Sequence, residues 1–194
     1  MEPLTKRLHA AILFADIRNF TTIVNILSLH ETYTFLNDCF RPIAEIVYTY
    51  DGTVDKFIGD AVVNVFGEPV THPDDPVRAI TCALDIQRKV EEINITWRKA
   101  FDFLVDIDIG ISTGEVLAGT IGHAKKMQHT VIGRNVNLAA ELANLCHDYN
   151  VNILLDHYTY EKSKNDLNFR NVGEKLILGF TEPIRLYTPT RPPL

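Results

Sequence analysis

Residues 51–67 are the stretch that most constrains the fold of this chain. On either side of Gly59-Asp60 lie β-branched and aromatic residues typical of two short strands, namely Phe57, Ile58, Val62, Val63 and Val65. Gly59 supplies the permissive backbone that a two-residue hairpin turn requires. The hairpin places Asp60 at its tip, with Lys56 on the incoming strand. Asp60 is then either a cation ligand held on a rigid turn or simply a turn-forming residue, since aspartate is common in turns.

The segments that flank the hairpin alternate between strand and helix patterns. The continuous apolar run of residues 10–15, which ends at Asp16, predicts a central strand covered on both faces. An apolar stripe through residues 30–50 predicts a long helix between this strand and the hairpin. A second helix is predicted over residues 75–97, because it begins with an acidic cap followed by proline.

The rest of the chain adds further strands and helices. Residues 103–112 and 116–121 are predicted as two strands joined by a turn at Thr113-Gly114-Glu115. The later elements are predicted at 127–132 (strand), 135–149 (helix), 151–155 (strand), 157–164 (helix), and near 169–172 and 184–187 (strands). One domain would thus span residues 1–188, and the proline-rich residues 189–194 are expected to form a flexible tail.

This order of elements predicts an α+β fold, a ferredoxin-like βαββαβ core with a C-terminal α/β extension. We expect the helices to pack on one face of a largely antiparallel sheet. In such a core the first strand and the hairpin are neighbours, so Asp16 and Asp60 are expected to meet. Two carboxylates that meet at a sheet edge repel each other unless a cation lies between them. Oxygen ligands favour a hard divalent ion such as Mg²⁺.

Composition limits the kinds of partner that the chain can bind. With 194 residues, 46% hydrophobic and 23% charged, it suits one globular domain. The net charge of -6 gives no support for a nucleic-acid partner. The cysteines, Cys39, Cys82 and Cys146, show no metal-binding spacing, and their odd number suggests free thiols in a reducing, cytoplasmic compartment. No apolar run is long enough to span a bilayer, although the parent protein of such a domain could be membrane-attached.

Three motifs together resemble the class III nucleotidyl cyclase catalytic domains, of the bacterial adenylyl type. Residues 14–21 (FADIRNFT) look like the first metal motif of that family, and residues 55–60 (DKFIGD) look like the second. Residues 130–140 (TVIGRNVNLAA) look like its base-reading strand and the helix that follows. Several linked motifs in the right order are far more specific than one short pattern.

The resemblance implies an adenylate cyclase that converts ATP to 3′,5′-cyclic AMP and pyrophosphate as a head-to-tail homodimer. It implies that Asp16, Ile17 and Asp60 hold two Mg²⁺ or Mn²⁺ ions per site, the arrangement used for in-line displacement. It further implies that the backbone at Ile17, Asn19, Phe20 and Thr21 contacts the phosphates. An upstream sensory domain is expected in the parent protein.

The resemblance also implies which residues contact the purine and the ribose. Lys56 and Thr130 from the partner chain would read the base, because lysine donates to a ring nitrogen and a hydroxyl can accept from the adenine amino group. This pair favours ATP over GTP. Asn137 matches the family asparagine that orients the ribose.

Two positions depart from the family pattern. Glu141 stands where the family has its transition-state arginine, and Leu178 stands where it often has a phosphate-binding lysine. Arg134, which is in helical register with Asn137 and Glu141, either replaces the missing cation or is a solvated residue at the helix start. The alternative to an active enzyme is therefore a catalytically weak or silent cyclase-homology domain that binds nucleotide or dimerises. A heterodimer with a partner that supplies the cations is a variant of this alternative.

Overall fold

A mixed sheet of eight strands organises the chain in the computed structural model, which describes residues 5–101 and 103–190. The strands are β1 (Lys6–Ile17), β2 (Thr53–Ile58), β3 (Ala61–Phe66), β4 (Ile107–His123), β5 (Lys126–Ile132), β6 (Ile153–Asp156), β7 (Phe169–Lys175) and β8 (Ile184–Pro189). The helices are α1 (Phe20–Val24), α2 (Leu29–Thr49), α3 (Asp75–Phe101), α4 (Arg134–Leu145) and α5 (His157–Ser163). None of the helices in these residues is both long and apolar enough to cross a membrane.

The central strand is β1, as the continuous apolar run predicts. The sheet order is β2-β3-β1-β4-β6-β8-β7, and β5 pairs with β4 outside this path. β1 is antiparallel to both β3 and β4, so the first strand and the hairpin are neighbours, as expected. Its alternate residues enter two different cores, with Ala11 and Leu13 on one face and Ala10 and Ile12 on the other. The predicted βαββαβ core with its C-terminal extension is confirmed.

The helices occupy both faces of the sheet, which corrects the expectation of a single helical face. α2 and α3 pack on the face that carries Leu13, through buried residues such as Phe35 and Ile80. α4 covers the opposite face, where Ala139 packs against the other side of β1 and β3. Its close approach depends on Gly110 of β4, since a Cβ there would lie 1.9 Å from the carbonyl oxygen of Ala139. The single-face expectation therefore fails for α4, whereas α1 and α5 contribute Ile23 and Tyr160 to the same face as α2 and α3.

The turn predicted at Thr113-Gly114-Glu115 is wrong, because β4 runs without interruption through these residues. β1 is twelve residues long and pairs with all three of them, so their backbone groups are satisfied by strand pairing. Gly114 makes room for a neighbouring side chain and does not form a turn, since a Cβ there would lie 2.0 Å from the side-chain nitrogen of Asn135. A glycine inside a strand often marks such a close approach.

The ends of the later elements differ slightly from the predictions. α4 ends at Leu145, four residues before the expected boundary, and β8 includes Pro189. The amide of Thr190 donates to the carbonyl oxygen of Asn168 (2.8 Å). Most of the expected tail, residues 191–194, lies outside the described residues.

Candidate active site

The structure brings Asp16 and Asp60 together where β1 ends beside the β2–β3 turn. Asp16 lies opposite Ala61 in the strand register, and the amide of Ile17 donates to the carbonyl oxygen of Asp60 (3.3 Å). Gly59, with φ of 61°, makes the tight turn that points Asp60 toward β1. The two carboxyl groups are close enough for the charge of Asp60 to raise the pKa of Asp16. The expectation that they meet is thus confirmed.

The surroundings of Asp16 are unfavourable for a bare carboxylate. Burial raises its pKa to about 6, and the charge of Asp60, the hydrogen bond with Asp60 and the charge of Asp108 act in the same direction. One carboxylate oxygen of Asp16, Oδ1, is buried and lacks a hydrogen-bond partner in the described part of the chain. Buried oxygens of this kind are normally paired. A bound cation would both pair the oxygen and offset the repulsion.

The neighbouring Arg18 does not supply that cation. Its Nε donates to Asp108 Oδ2 (2.9 Å), a second guanidinium nitrogen binds Asp108 Oδ1, and the same nitrogen donates to the carbonyl oxygen of Val151 (3.1 Å). Burial raises the pKa of Asp108, and Arg18 partly reverses the effect. Arg18 thus compensates the buried Asp108 that lies opposite Asp16 on β4. The sequence reasoning missed this pair, since the two residues are ninety positions apart.

Asp16 and Asp60 are two carboxylates that a metal ion could use at this edge. Within residues 5–101 and 103–190 there is no cluster of three or more His, Cys, Asp or Glu side chains placed to hold a metal. A Mg²⁺ site commonly uses one or two carboxylates, with substrate phosphates and water as the other ligands. The pair therefore suits a divalent ion that arrives with a phosphate ligand.

The segment after β1 turns sharply into α1. Asn19 adopts the left-handed conformation (φ 57°) that asparagine tolerates better than most residues, and α1 begins at Phe20. Asn19 is thus the residue that directly precedes the helix. The ring of Phe20 stacks against Phe35 in the core (6.5 Å between centroids), whereas Asn19 and Thr21 are exposed. The amides of Ile17 and Arg18 donate to the carbonyl oxygens of Asp60 and Asp106, so a phosphate here would meet the amides of residues 19–21.

Lys56 and Thr130 form a direct hydrogen bond although they belong to separate strands. The Lys56 ammonium donates to the Thr130 hydroxyl (2.5 Å), and the hydroxyl donates to Asp55 Oδ2 (2.8 Å). Asp55 also accepts from the backbone amide of Val131 (3.2 Å) and pairs with the Lys56 ammonium (3.0 Å). The predicted base-reading residues are therefore neighbours within one chain.

A β-bulge explains how Asp55 reaches the strand that carries Thr130. The pairing of β2 with β3 shifts between Val54 and Lys56, which leaves Asp55 as the extra residue. Its side chain, only 6% exposed, points to β5 instead of following the alternation of β2. Sequence reasoning gave no role to Asp55, and the only available signal was its place beside Lys56.

Asn137 and Glu141 are both exposed on α4, one helical turn apart. The buried side of the same helix carries Leu138, Ala139 and Leu142, so the two polar residues face away from the sheet. Both side chains are accessible to a ligand or to a second chain.

Arg134 points toward the C-terminal loop and not toward Glu141. Its guanidinium donates to the carbonyl oxygen of Gly179 (2.7 Å) and lies over the Phe180 ring (4.4 Å to the centroid). Leu178, at the position of the expected lysine, is 99% exposed. In this conformation Arg134 holds the loop next to Leu178.

Comparison with known proteins identifies the class of the domain. Residues 5–188 match the family model described as adenylate and guanylate cyclase catalytic domain. Over 181 residues, or 93% of the chain, the sequence is 29% identical to "Adenylate cyclase 1" of Rhizobium meliloti, of which it spans 27% of the length. The structure resembles the adenylyl cyclase CyaB of P. aeruginosa, with a TM-score of 0.91 and 30% identity over 98% of this chain and 97% of that one. It also resembles the guanylyl cyclase Cya2, with a TM-score of 0.85 and 28% identity over 95% and 92%.

Proposed function

The chain belongs to the family of adenylate and guanylate cyclase catalytic domains, and on that premise we propose that it converts ATP to 3′,5′-cyclic AMP and pyrophosphate. The observation that carries the proposal is the meeting of Asp16 and Asp60 at one sheet edge, with an unpaired buried oxygen between the elements. Relatives of both substrate types match the chain, so the choice of ATP is part of the proposal.

The Asp16 and Asp60 carboxylates, with the backbone of Ile17, would hold two Mg²⁺ or Mn²⁺ ions. Bound divalent ions would lower the pKa of the ribose 3′ hydroxyl and offset the charge of the phosphates. Asp16 and Asp60 bring two negative charges that such ions neutralise, which explains why they tolerate each other in the loaded site. The backbone at Asn19, Phe20 and Thr21 would donate to phosphate oxygens beside them.

Lys56 and Thr130 would read the purine. The Lys56 ammonium would donate to ring nitrogen N1, and the Thr130 hydroxyl would accept from the 6-amino group, a pattern that adenine offers and guanine does not. Asn137 would orient the ribose from the exposed side of α4. Each of these groups binds or orients, so their effect is to hold the 3′ oxygen near the phosphorus that it attacks.

We propose that the active form is a head-to-tail homodimer in which one subunit supplies the carboxylates and the other supplies the purine-reading pair. Apolar side chains are exposed on β2 and on the β4–β5 hairpin, and each is about half accessible: Phe57, Ile58, Ile121, Met127 and Ile132. Exposed apolar patches of this kind mark interaction surfaces. They surround Lys56 and Thr130 in sequence, so a second chain seated on them would close the purine site.

A catalytically weak or silent domain is the second candidate, favoured by Glu141. A carboxylate beside the transferring phosphate would repel the charge that a cation stabilises, and losing one such donor typically costs a factor of about 10²–10³ in rate. Arg134 gives no relief in the observed conformation, because its guanidinium is bound to Gly179 and Phe180. In this candidate the domain binds nucleotide or dimerises, alone or with a partner chain that brings the cations.

The deciding experiment measures cyclic AMP formed from Mn²⁺-ATP by the purified chain and by Glu141→Arg. If Glu141 slows an active enzyme, the parent forms product and the variant forms about a hundredfold more. Glu45→Arg makes the same change of charge on an exposed face of α2 and should leave turnover unchanged. If only Glu141→Arg forms cyclic AMP, the proposal that the parent chain is an active enzyme is refuted. Calorimetry with a non-cyclisable ATP analogue then separates a nucleotide-binding module from one that only dimerises.

A further inference from the structure

Asp55 contacts both Lys56 and Thr130, the two residues proposed to read the purine, although Asp55 itself is not one of them. Its Oδ2 accepts from the Thr130 hydroxyl (2.8 Å) and lies 3.0 Å from the Lys56 ammonium. Its Oδ1 accepts from the Val131 amide (3.2 Å). The carboxylate thus has fixed partners on both oxygens, and 6% of its side chain is exposed.

These contacts determine where the single hydroxyl proton of Thr130 points. The Lys56 ammonium can only donate, so Thr130 accepts from it (2.5 Å). The proton of the hydroxyl must then go to a different acceptor, and Asp55 Oδ2 is nearer (2.8 Å) than the Val131 carbonyl oxygen (3.5 Å). With its proton directed at Asp55, Thr130 presents only a lone pair to any other group.

A base that enters the site meets the Thr130 oxygen either in place of the Lys56 ammonium or at the second lone pair of the hydroxyl, and in both cases it meets an acceptor. Thr130 is 1% exposed, and Lys56 is the neighbour that donates to its hydroxyl. A 6-amino group is also a donor, so it can replace the ammonium without any change in the direction of the hydroxyl proton. A 6-carbonyl group is an acceptor, and it would meet a lone pair instead of a proton.

We propose that Asp55 is a specificity-determining positioning residue, which makes Thr130 an acceptor and thereby selects a 6-aminopurine over a 6-oxopurine. The inference rests on the proposed function, because it assumes that Lys56 and Thr130 face the base. It adds a residue that acts through Thr130. It also explains why the threonine hydroxyl, which could donate or accept, only accepts a hydrogen bond from the base.

Asp55→Asn tests the direction of the proton with almost no change in shape. The asparagine carbonyl oxygen can keep the bond from the Val131 amide, which turns its NH₂ group toward Thr130. The hydroxyl then has no acceptor at residue 55 and is free to donate to a ligand. We expect the ratio of affinities for ATP and GTP analogues to fall by about tenfold or more, with weaker ATP binding and stronger GTP binding.

The experiment measures dissociation constants of non-cyclisable ATP and GTP analogues by calorimetry with Mn²⁺, for four chains besides the parent: Asp55→Asn, Thr130→Val, the double variant and Asp166→Asn. Asp166 is an exposed aspartate in the α5–β7 loop and controls for the loss of one negative charge. If the effect passes through the hydroxyl, Asp55→Asn changes the ratio in the parent and leaves it unchanged in the Thr130→Val background.

The outcomes separate the inference from the proposed function. A parent chain that binds neither analogue refutes the proposed function and the inference with it. A parent that prefers ATP, with the same ratio in Asp55→Asn, refutes the inference alone. An equal loss of both affinities in Asp55→Asn also refutes it, because a purely structural role predicts that result. If Asp55→Asn does not fold, Thr130→Val decides, since loss of the acceptor must weaken ATP binding more than GTP binding.

Discussion

Replacing Asp16 with asparagine should stabilise the metal-free domain while it removes the response to divalent ions. Burial and the charge of Asp60 raise the pKa of Asp16 from 3.8 to about 6, which means that the ionised carboxylate is unfavourable in the folded state. Asparagine keeps the size and an acceptor oxygen but has no charge. The variant therefore loses the repulsion and loses a metal ligand in the same change.

The pKa of Asp16 sets the size of the effect. The difference between 3.8 and about 6 corresponds to about 3 kcal/mol, at about 1.4 kcal/mol for each pH unit. Because the group is only half buried and solvent screens part of the repulsion, we expect about 1–2 kcal/mol above pH 6. For a domain of this length that is a rise of about 2–8 °C in melting temperature.

The pH dependence has a definite sign. The folded state holds the proton more tightly than the unfolded chain, so the cost of Asp16 is absent below pH about 4. It grows as the pH rises from about 4 to about 6, and it is constant above that. The difference in melting temperature between variant and parent should therefore be present at pH 7.5 and vanish on acidification.

Thermal unfolding at one protein concentration, with and without Mn²⁺ and over this pH range, measures both effects. Mn²⁺ should raise the melting temperature of the parent by mass action and have much less effect on Asp16→Asn. Asp166→Asn serves as the control, since it removes an exposed charge far along the chain. The reasoning fails if Asp16→Asn lowers the metal-free melting temperature at pH 7.5, or if Mn²⁺ stabilises variant and parent equally.

Three further substitutions test, by denaturant unfolding, the residues that support the site. Arg18→Ala should cost about 3–5 kcal/mol, because it leaves the buried Asp108 uncompensated, and a loss below about 1 kcal/mol would show that the pair is solvent-screened. Gly110→Ala should cost about 3 kcal/mol or more, because its Cβ would overlap the α4 backbone. Gly59→Ala meets no atom within 4 Å but has a positive φ, so it should cost only about 1–2 kcal/mol, and equal losses at the two glycines would contradict the packing argument.

The sequence predicted those parts of the fold that depend on local patterns. The hairpin around Gly59 and the buried strand that ends at Asp16 follow from short-range periodicity and turn chemistry, and their adjacency follows from the order of the elements. The prediction of a turn at Gly114 was wrong because glycine occurs in two different structural settings. Glycine permits a turn, and it also permits the close approach of Asn135, and only the tertiary structure distinguishes the two.

The candidate site was predictable to the extent that a recognisable motif carries it. Asp55 and Arg18 were missed because their roles come from a bulge and from a contact across ninety positions. Neither feature has a period or a composition that sequence reasoning can detect. For Arg134 the pattern was detectable but misleading. Helical spacing placed it on the same face as Glu141, whereas its long side chain binds the C-terminal loop.

Asp16 and Glu141 differ in how much their charges destabilise the fold. We therefore expect substitutions at the two residues to affect ligand binding and turnover differently. Asp16 is unfavourable without a cation, so any change there alters stability, metal response and ligand binding together. Glu141 is exposed on α4, so we expect its replacement to leave the stability of the fold unchanged, and in the proposed function its charge would act on the phosphate that is transferred. A chain with this distribution can bind a metal–nucleotide complex fully and still turn it over slowly. The purine preference assigned to Asp55 is therefore measurable by binding, whatever rate Glu141 permits.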